Sequence, residues 1–291
     1  MMDLREKAEK MSEMLKDENI VVTYRPVIKN NVTLDALGVR TGRSTEAVLY
    51  YTTAWEFMDD EAIKSMLLDA INKFQVTESD LDFIKNRDWI LDHIYVKLIS
   101  NVNTEFLSVN HLPLYPVMDM FAIFYVRLPE QMIAKKDGIT ATMNLTSNVL
   151  SMNNITLEEA YKAAVSNLEK ELTICNITDA IVKSVPPEFQ DSIYMADSFL
   201  PIWICSNKIN IQGAAVMLCP SFAEAVSEYI CGDVYVLPSS IHECLIAPAS
   251  DMDPEEAVAM VREVNATEID PENKLTDSVY LLHEGSISKI A

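Results

Sequence analysis

Ser239-Ser240-Ile241-His242-Glu243 puts a hydroxyl, an imidazole and a carboxylate into one short segment. These are the residue types of a nucleophile, its general base and the acid that orients the base, the set used in acyl transfer and hydrolysis. The spacing argues against a local triad. In an extended segment Ser240 and His242 share a face about 6.6 Å apart, at a rise of about 3.3 Å per residue, whereas a nucleophile–base hydrogen bond spans about 3 Å. Glu243 then points to the opposite face. A hydrolase using Ser239 or Ser240 with His242 and Glu243 must therefore draw partners from elsewhere in the chain. Turn chemistry accounts for the same residues without activity: Pro238 sets φ, and the Ser hydroxyls satisfy free turn amides. The segment is read first as a hairpin corner and second as a hydrolytic site. No Gly-x-Ser-x-Gly elbow occurs anywhere in the chain.

Other chemistries have less to build on. His93, His111, His242 and His283 are far apart, and no His-Glu-x-x-His occurs. Asp251-x-Asp253 starts like a calcium loop, but Pro254 follows and the required Gly is missing. A helix start explains those acids better, so no metal site is expected. The six Gly form no phosphate-binding spacing, and no cofactor is expected. Trp55, Trp89 and Trp203 sit among apolar neighbours and read as core.

The charge points to a class of partner. The chain has 23 Lys and Arg against 44 Asp and Glu, a net charge of −21. Residues 1–150 carry 16 basic and 22 acidic groups, and residues 151–291 carry 7 and 22. Nucleic acid and anionic membrane surfaces both need a basic footprint, so neither is an expected partner. The acidic excess is read first as solubility and second as a surface for a basic protein partner facing the second half. The five Cys are odd in number and lack a Cys-x-x-Cys, which suits reduced thiols in a cytoplasmic protein. Met2 to Lys7 is a charged helix start rather than a signal peptide.

The elements that must position the corner follow from periodicity. Leu4, Ala8, Met11 and Leu15 make a helical stripe. Ile20 to Tyr24 and Val32 to Leu37 predict a hairpin about Lys29-Asn30-Asn31, with a loop over Thr41–Thr45. Ile63, Met66, Leu67, Ala70, Ile71 and Phe74 predict a helix after Asp59-Asp60-Glu61, and Ile90, Ile94 and Leu98 a second over Trp89–Ser100. Met120–Leu128 and Ile139–Leu145 read as strands about Asp137-Gly138. Thr156-x-x-Glu159 is a capping box for a helix to about Glu171. Pro186-Pro187 opens a break reaching Asp197. Beyond it come strands over Leu200–Cys205 and Ala214–Leu218, a helix over Ser221–Ile230, and strands over Asp233–Leu237 and Ile241–Ala247. A helix from Asp253-Pro254 and a strand over Val279–Leu282 complete the pattern.

Leu237 to Glu243, Val264-Asn265-Ala266-Thr267 and Leu275 to Tyr280 together resemble a clostridial domain-of-unknown-function family, 5688. Arg25-Pro26-Val27 and Asn154-Ile155-Thr156 fit the same pattern. The resemblance implies an origin among Firmicutes, often on mobile elements, and brings no activity or site residues with it. The expected fold is α/β of the α+β type. A mixed or mainly antiparallel sheet carries packed helices, and the C-terminal lobe has the order ββαββαβ. The expected division is an N-terminal lobe of helix, hairpin and helices over 1–150 and an acidic C-terminal lobe over 151–291, with one continuous domain as the alternative. The expected function is a non-enzymatic binding or accessory protein with an acidic interaction surface.

Overall fold

The computed structural model describes residues 3–41, 46–73, 79–103, 107–108, 110–128, 142–188, 190 and 201–290. The Gly42–Thr45 loop, Phe74, the Asp137-Gly138 turn with Ile139, Leu200, and the stretch up to Asp197 from 191 onward lie outside them.

The helical stripe near the N-terminus becomes α1 (Leu4–Met14), whose first turn is capped by the Asp3 carboxylate. The expected hairpin forms in two tiers. Its inner tier is β2 (Val27–Lys29) and β3 (Val32–Leu34), closed by Asn30-Asn31 with Asn31 at φ 60°. Its outer tier is β1 (Ile20–Tyr24) and β4 (Ala36–Thr41), and β5 (Ala47–Tyr50) pairs with β4. α1 and α2 (Asp60–Lys73) cover this sheet, enclosing Leu4, Met11, Leu15, Leu37, Ile63 and Leu67.

The predicted helix over Trp89–Ser100 is corrected. α3 (Arg87–His93) stops at His93, and Ile94–Ser100 is β6, paired with β8 (Met120–Arg127). Ile90, Ile94 and Leu98 are all fully buried, as expected. A spacing of four keeps residues on one face of a helix and of a strand alike, so the spacing could not separate the two. β7 (Tyr115–Val117) and β9 (Thr142–Asn144) pair with β8 as well.

α4 (Ser147–Met152) leads into α5 (Leu157–Glu169). The Thr156 hydroxyl accepts the Glu159 N–H at 3.2 Å, and the Glu159 carboxylate accepts the Thr156 N–H at 3.0 Å. Thr156→Ala is expected to lower the unfolding free energy by about 1 kcal/mol. The check is a shift of the urea midpoint at unchanged slope.

The C-terminal half builds a six-stranded sheet in the order β10-β11-β13-β12-β14-β15. Its members are β10 (Leu172–Asn176), β11 (Trp203–Asn207), β12 (Val234–Leu237), β13 (Cys244–Pro248), β14 (Tyr280–His283) and β15 (Ser286–Lys289). β10 and α6 (Ile177–Ser184), which follows it, were not expected from the sequence. Ala214–Leu218 is not a strand: Gly213–Leu218 is a 3-10 turn. Its residues 214–217 are all buried, and an unbroken apolar run suits a buried strand or a buried helical turn equally. Ile241 lies before β13 rather than in it, and β15 closes the sheet. The two expected helices appear as α7 (Phe222–Ser227) and α8 (Pro254–Thr267), the latter with the Asp253–Glu256 capping box.

All strand pairings among the described residues are antiparallel. The fold is therefore α+β, with helices packed on antiparallel sheets. The largest core runs from Ile90 to Leu282. It joins the inner face of β6 and β8 to α5, the 3-10 turn and one face of the six-stranded sheet. The other face of that sheet packs Tyr235, Leu237 and Val279 on Ala257, Val258 and Val261 of α8. Among the described residues no helix is long and apolar enough to cross a membrane.

Candidate functional site

The Ser-Ser-Ile-His-Glu segment is the corner between β12 and β13. Its backbone is pinned by a distant loop: Leu275 N–H donates to Ser239 O at 2.8 Å, Ile241 N–H donates to Asn273 O at 2.8 Å, and Ser240 bridges Lys274. That loop is itself held by the N-terminal hairpin turn. Asn30 Nδ2 donates to Glu272 O at 3.1 Å and Lys274 O at 2.8 Å, and Asn31 Nδ2 to Pro271 O at 3.0 Å and Lys274 O at 2.7 Å.

Ser239 and Ser240 are buried, while His242 and Glu243 are half-buried. Ser240 Oγ accepts the backbone N–H of His242 at 3.0 Å, the local turn bond that Ser provides. The His242 ring faces elsewhere. Its Nδ1 accepts the Gln212 N–H at 3.2 Å. A backbone N–H can only donate, so the ring proton sits on Nε2, which donates to Asn273 Oδ1 at 3.2 Å. The His242 carbonyl accepts from Gly213 N–H at 2.9 Å and Ser206 Oγ at 2.8 Å. Asn207, fully buried, shapes the loop that delivers Gln212: its Oδ1 accepts from Ile209 N–H at 3.2 Å and Ile211 N–H at 3.3 Å, and its Nδ2 donates to Ile211 O at 2.8 Å.

The structure thus brings Ser240, His242 and Glu243 to one open cleft of about 350 Å³, with Ser239 buried behind it. Asn210, Glu268, Ile269, Asp270 and Asn273 complete the lining. Gln212, Asn273, Glu268 and Asp270 were missed in the sequence, because they lie about thirty residues to either side and carry no local motif. Glu243, Glu268 and Asp270 make no ion pair among the described residues, and no Lys or Arg lines the cleft.

The remaining candidates are dispersed. His93 stacks on Trp89 at 4.2 Å, and His283 meets Asp233 at 2.7 Å, which raises its pKa by hydrogen bond and charge. Among the described residues no three His, Cys, Asp or Glu side chains gather as metal ligands. Trp55 is core, and Trp89 and Trp203 pack against the main core. All five Cys are free thiols. Burial pushes Cys219 up to about 12, which suppresses its thiolate.

Fold and site define an antiparallel α+β protein with a hydrogen-bonded corner opening on an acidic cleft. The profile of a family described as "Family of unknown function (DUF5688)" matches residues 4–283, and the chain belongs to that family. No curated protein and no solved structure matches it.

Proposed function

We propose that this is a binding protein that engages a cationic segment of a protein partner in the cleft at the Ser240–Glu243 corner. The observation that carries this reading is the cleft's lining of three unneutralised carboxylates, Glu243, Glu268 and Asp270, with no basic side chain. Glu243 belongs to the corner held by bonds from β11, the 3-10 turn and the 271–274 loop, and Glu268 and Asp270 face it from the exposed segment that follows α8. Such a surface steers and orients a basic partner. The hydrolytic alternative asks more of the same corner. Ser240 Oγ would have to leave the His242 N–H, and a ring nitrogen would have to give up Gln212 or Asn273.

The test uses an oligolysine peptide as probe. Binding is expected to weaken steeply from about 0.1 M to about 1 M salt, where the screening length falls from about 10 Å to about 3 Å. The triple variant Glu243→Gln, Glu268→Gln, Asp270→Asn removes the cleft charges. A control, Glu224→Gln, Glu228→Gln, Glu255→Gln, removes as many exposed charges elsewhere. The cleft variant is expected to bind about tenfold more weakly than the control, or about 1.4 kcal/mol. Equal losses in the two variants would reduce the effect to net charge and remove the cleft from the account.

A further inference from the structure

One face of the β6–β8 ladder carries hydrogen-bond donors that lack acceptors. The register pairs Tyr95 with Tyr125 and Lys97 with Ile123, so Tyr95, Lys97, Tyr125 and Arg127 share that face. Lys97 is part-buried and makes no hydrogen bond or ion pair among the described residues; its Nζ lies 5.7 Å from the centre of the Tyr125 ring. Tyr125 is fully buried, and neither its hydroxyl nor Arg127 Nε has a partner within hydrogen-bond geometry. The phenol oxygen can accept from that Nε, but its own proton still needs an acceptor.

The carboxylate on this face is already committed. Glu171 takes Arg127 Nη1 and Nη2 at 2.7 Å each and the Tyr95 hydroxyl at 2.9 Å. The Arg127 guanidinium also stacks 4.0 Å from the centre of the Tyr95 ring. Lys29 of β2 lies 4.7 Å from the centre of the Tyr50 ring, and its charge is felt at Lys97. Lys29, Lys97 and Arg127 therefore stand against Glu171 in a chain whose net charge is −21. A partly desolvated charged donor without a counter-ion is costly, and charge-assisted hydrogen bonds to oxyanions are among the strongest available.

We propose that this face binds a small oxyanion, a carboxylate or phosphate group, which accepts from Lys97 and the Tyr125 hydroxyl. The site is separate from the acidic cleft and takes ligands of the opposite charge. Burial, followed by the charge of Lys29, lowers Lys97 to about 8. A bound oxyanion reverses that shift.

The experiment titrates the full chain with inorganic phosphate and, separately, with acetate at fixed ionic strength near neutral pH. It follows the thermal midpoint and the Lys97 ammonium by NMR. At least one anion is expected to raise the midpoint and to lift the Lys97 pKa above 8, and the arm that acts identifies the headgroup. Tyr125→Phe is expected to bind that anion about tenfold more weakly. Lys97→Met should not respond to it. Lys97→Met keeps the packing of the stem and removes an uncompensated charge, so it is expected to fold as well as the parent. An equal response of parent and Lys97→Met, or a Lys97 pKa that neither anion moves, overturns the proposal. The Lys97 reading needs no variant.

Discussion

Asp119→Ala is expected to lower the unfolding free energy by about 3 kcal/mol. Asp119 lies in the turn between β7 and β8, far in sequence from the strands it joins. Its carboxylate accepts from Ser278 Oγ at 2.6 Å, from Lys289 Nζ at 2.8 Å and from the Tyr280 hydroxyl. Tyr280 is fully buried, so the truncation removes the carboxylate that accepts its phenol proton at the edge of the main core. That desolvated donor dominates the cost. The Lys289 contact is half-exposed and adds little.

The same carboxylate sets a pH signature. Burial pushes the Asp119 pKa up, but hydrogen bonds from Lys289, Ser278 and Tyr280 outweigh it and hold the carboxyl below its ordinary 3.8. A lowered pKa means a contribution that is complete above 3.8 and lost as pH falls below it. The stability gap between parent and Asp119→Ala should therefore be constant at neutral pH and narrow in acid, where the neutral carboxyl can still accept from Tyr280 but no longer attracts Lys289 as a charge. Urea unfolding across that range checks both points. A gap under about 0.5 kcal/mol at neutral pH would show that the three donors find water instead.

Gly213→Ala is expected to cost about 2–3 kcal/mol and to disturb the candidate site at the same time. A Cβ at position 213 would stand 2.2 Å from Ser206 Oγ, 2.7 Å from the Asn207 backbone nitrogen and 2.8 Å from the His242 carbonyl oxygen. The hydroxyl can swing away, but the two backbone atoms belong to β11 and to the corner and cannot yield separately. Relief must lengthen the Gly213 N–H bond to His242 O and unseat the neighbouring Gln212 N–H from the ring. Two readings are expected together: a lower thermal midpoint and a shifted His242 ring resonance. A lower midpoint with an unmoved ring would mean that Gly213 supports β11 but does not position His242.

Much of the scaffold is legible in the sequence. The α1 stripe, the Asn30-Asn31 turn, the Thr156 and Asp253 capping boxes and the buried run of β8 depend on neighbours within one helical turn or one strand. The failures have the same origin. Ile90, Ile94 and Leu98 satisfied two periods at once, and residues 214–217 satisfied none, so local pattern could not choose between strand and helix there. β10 and α6 are short, five and eight residues, and follow one another without an intervening turn residue, so no break in the sequence separates them from α5.

The Ser-Ser-x-His-Glu turn shows where the division falls. Sequence by itself determined that the segment is a Pro-led corner, that its two Ser can cap turn amides, and that the half containing it is the more acidic. These are properties of composition and of bonds spanning two residues, such as Ser240 to His242. Only the tertiary structure decided what the imidazole faces, which carboxylates gather beside it and what holds the corner still. The partners are Gln212 and Asn273, 30 and 31 residues from His242, and the clamp on the loop that carries Asn273 is an Asn pair 240 or more residues away. Hydrogen bonds at that separation come from strand order and loop closure, which no local spacing encodes.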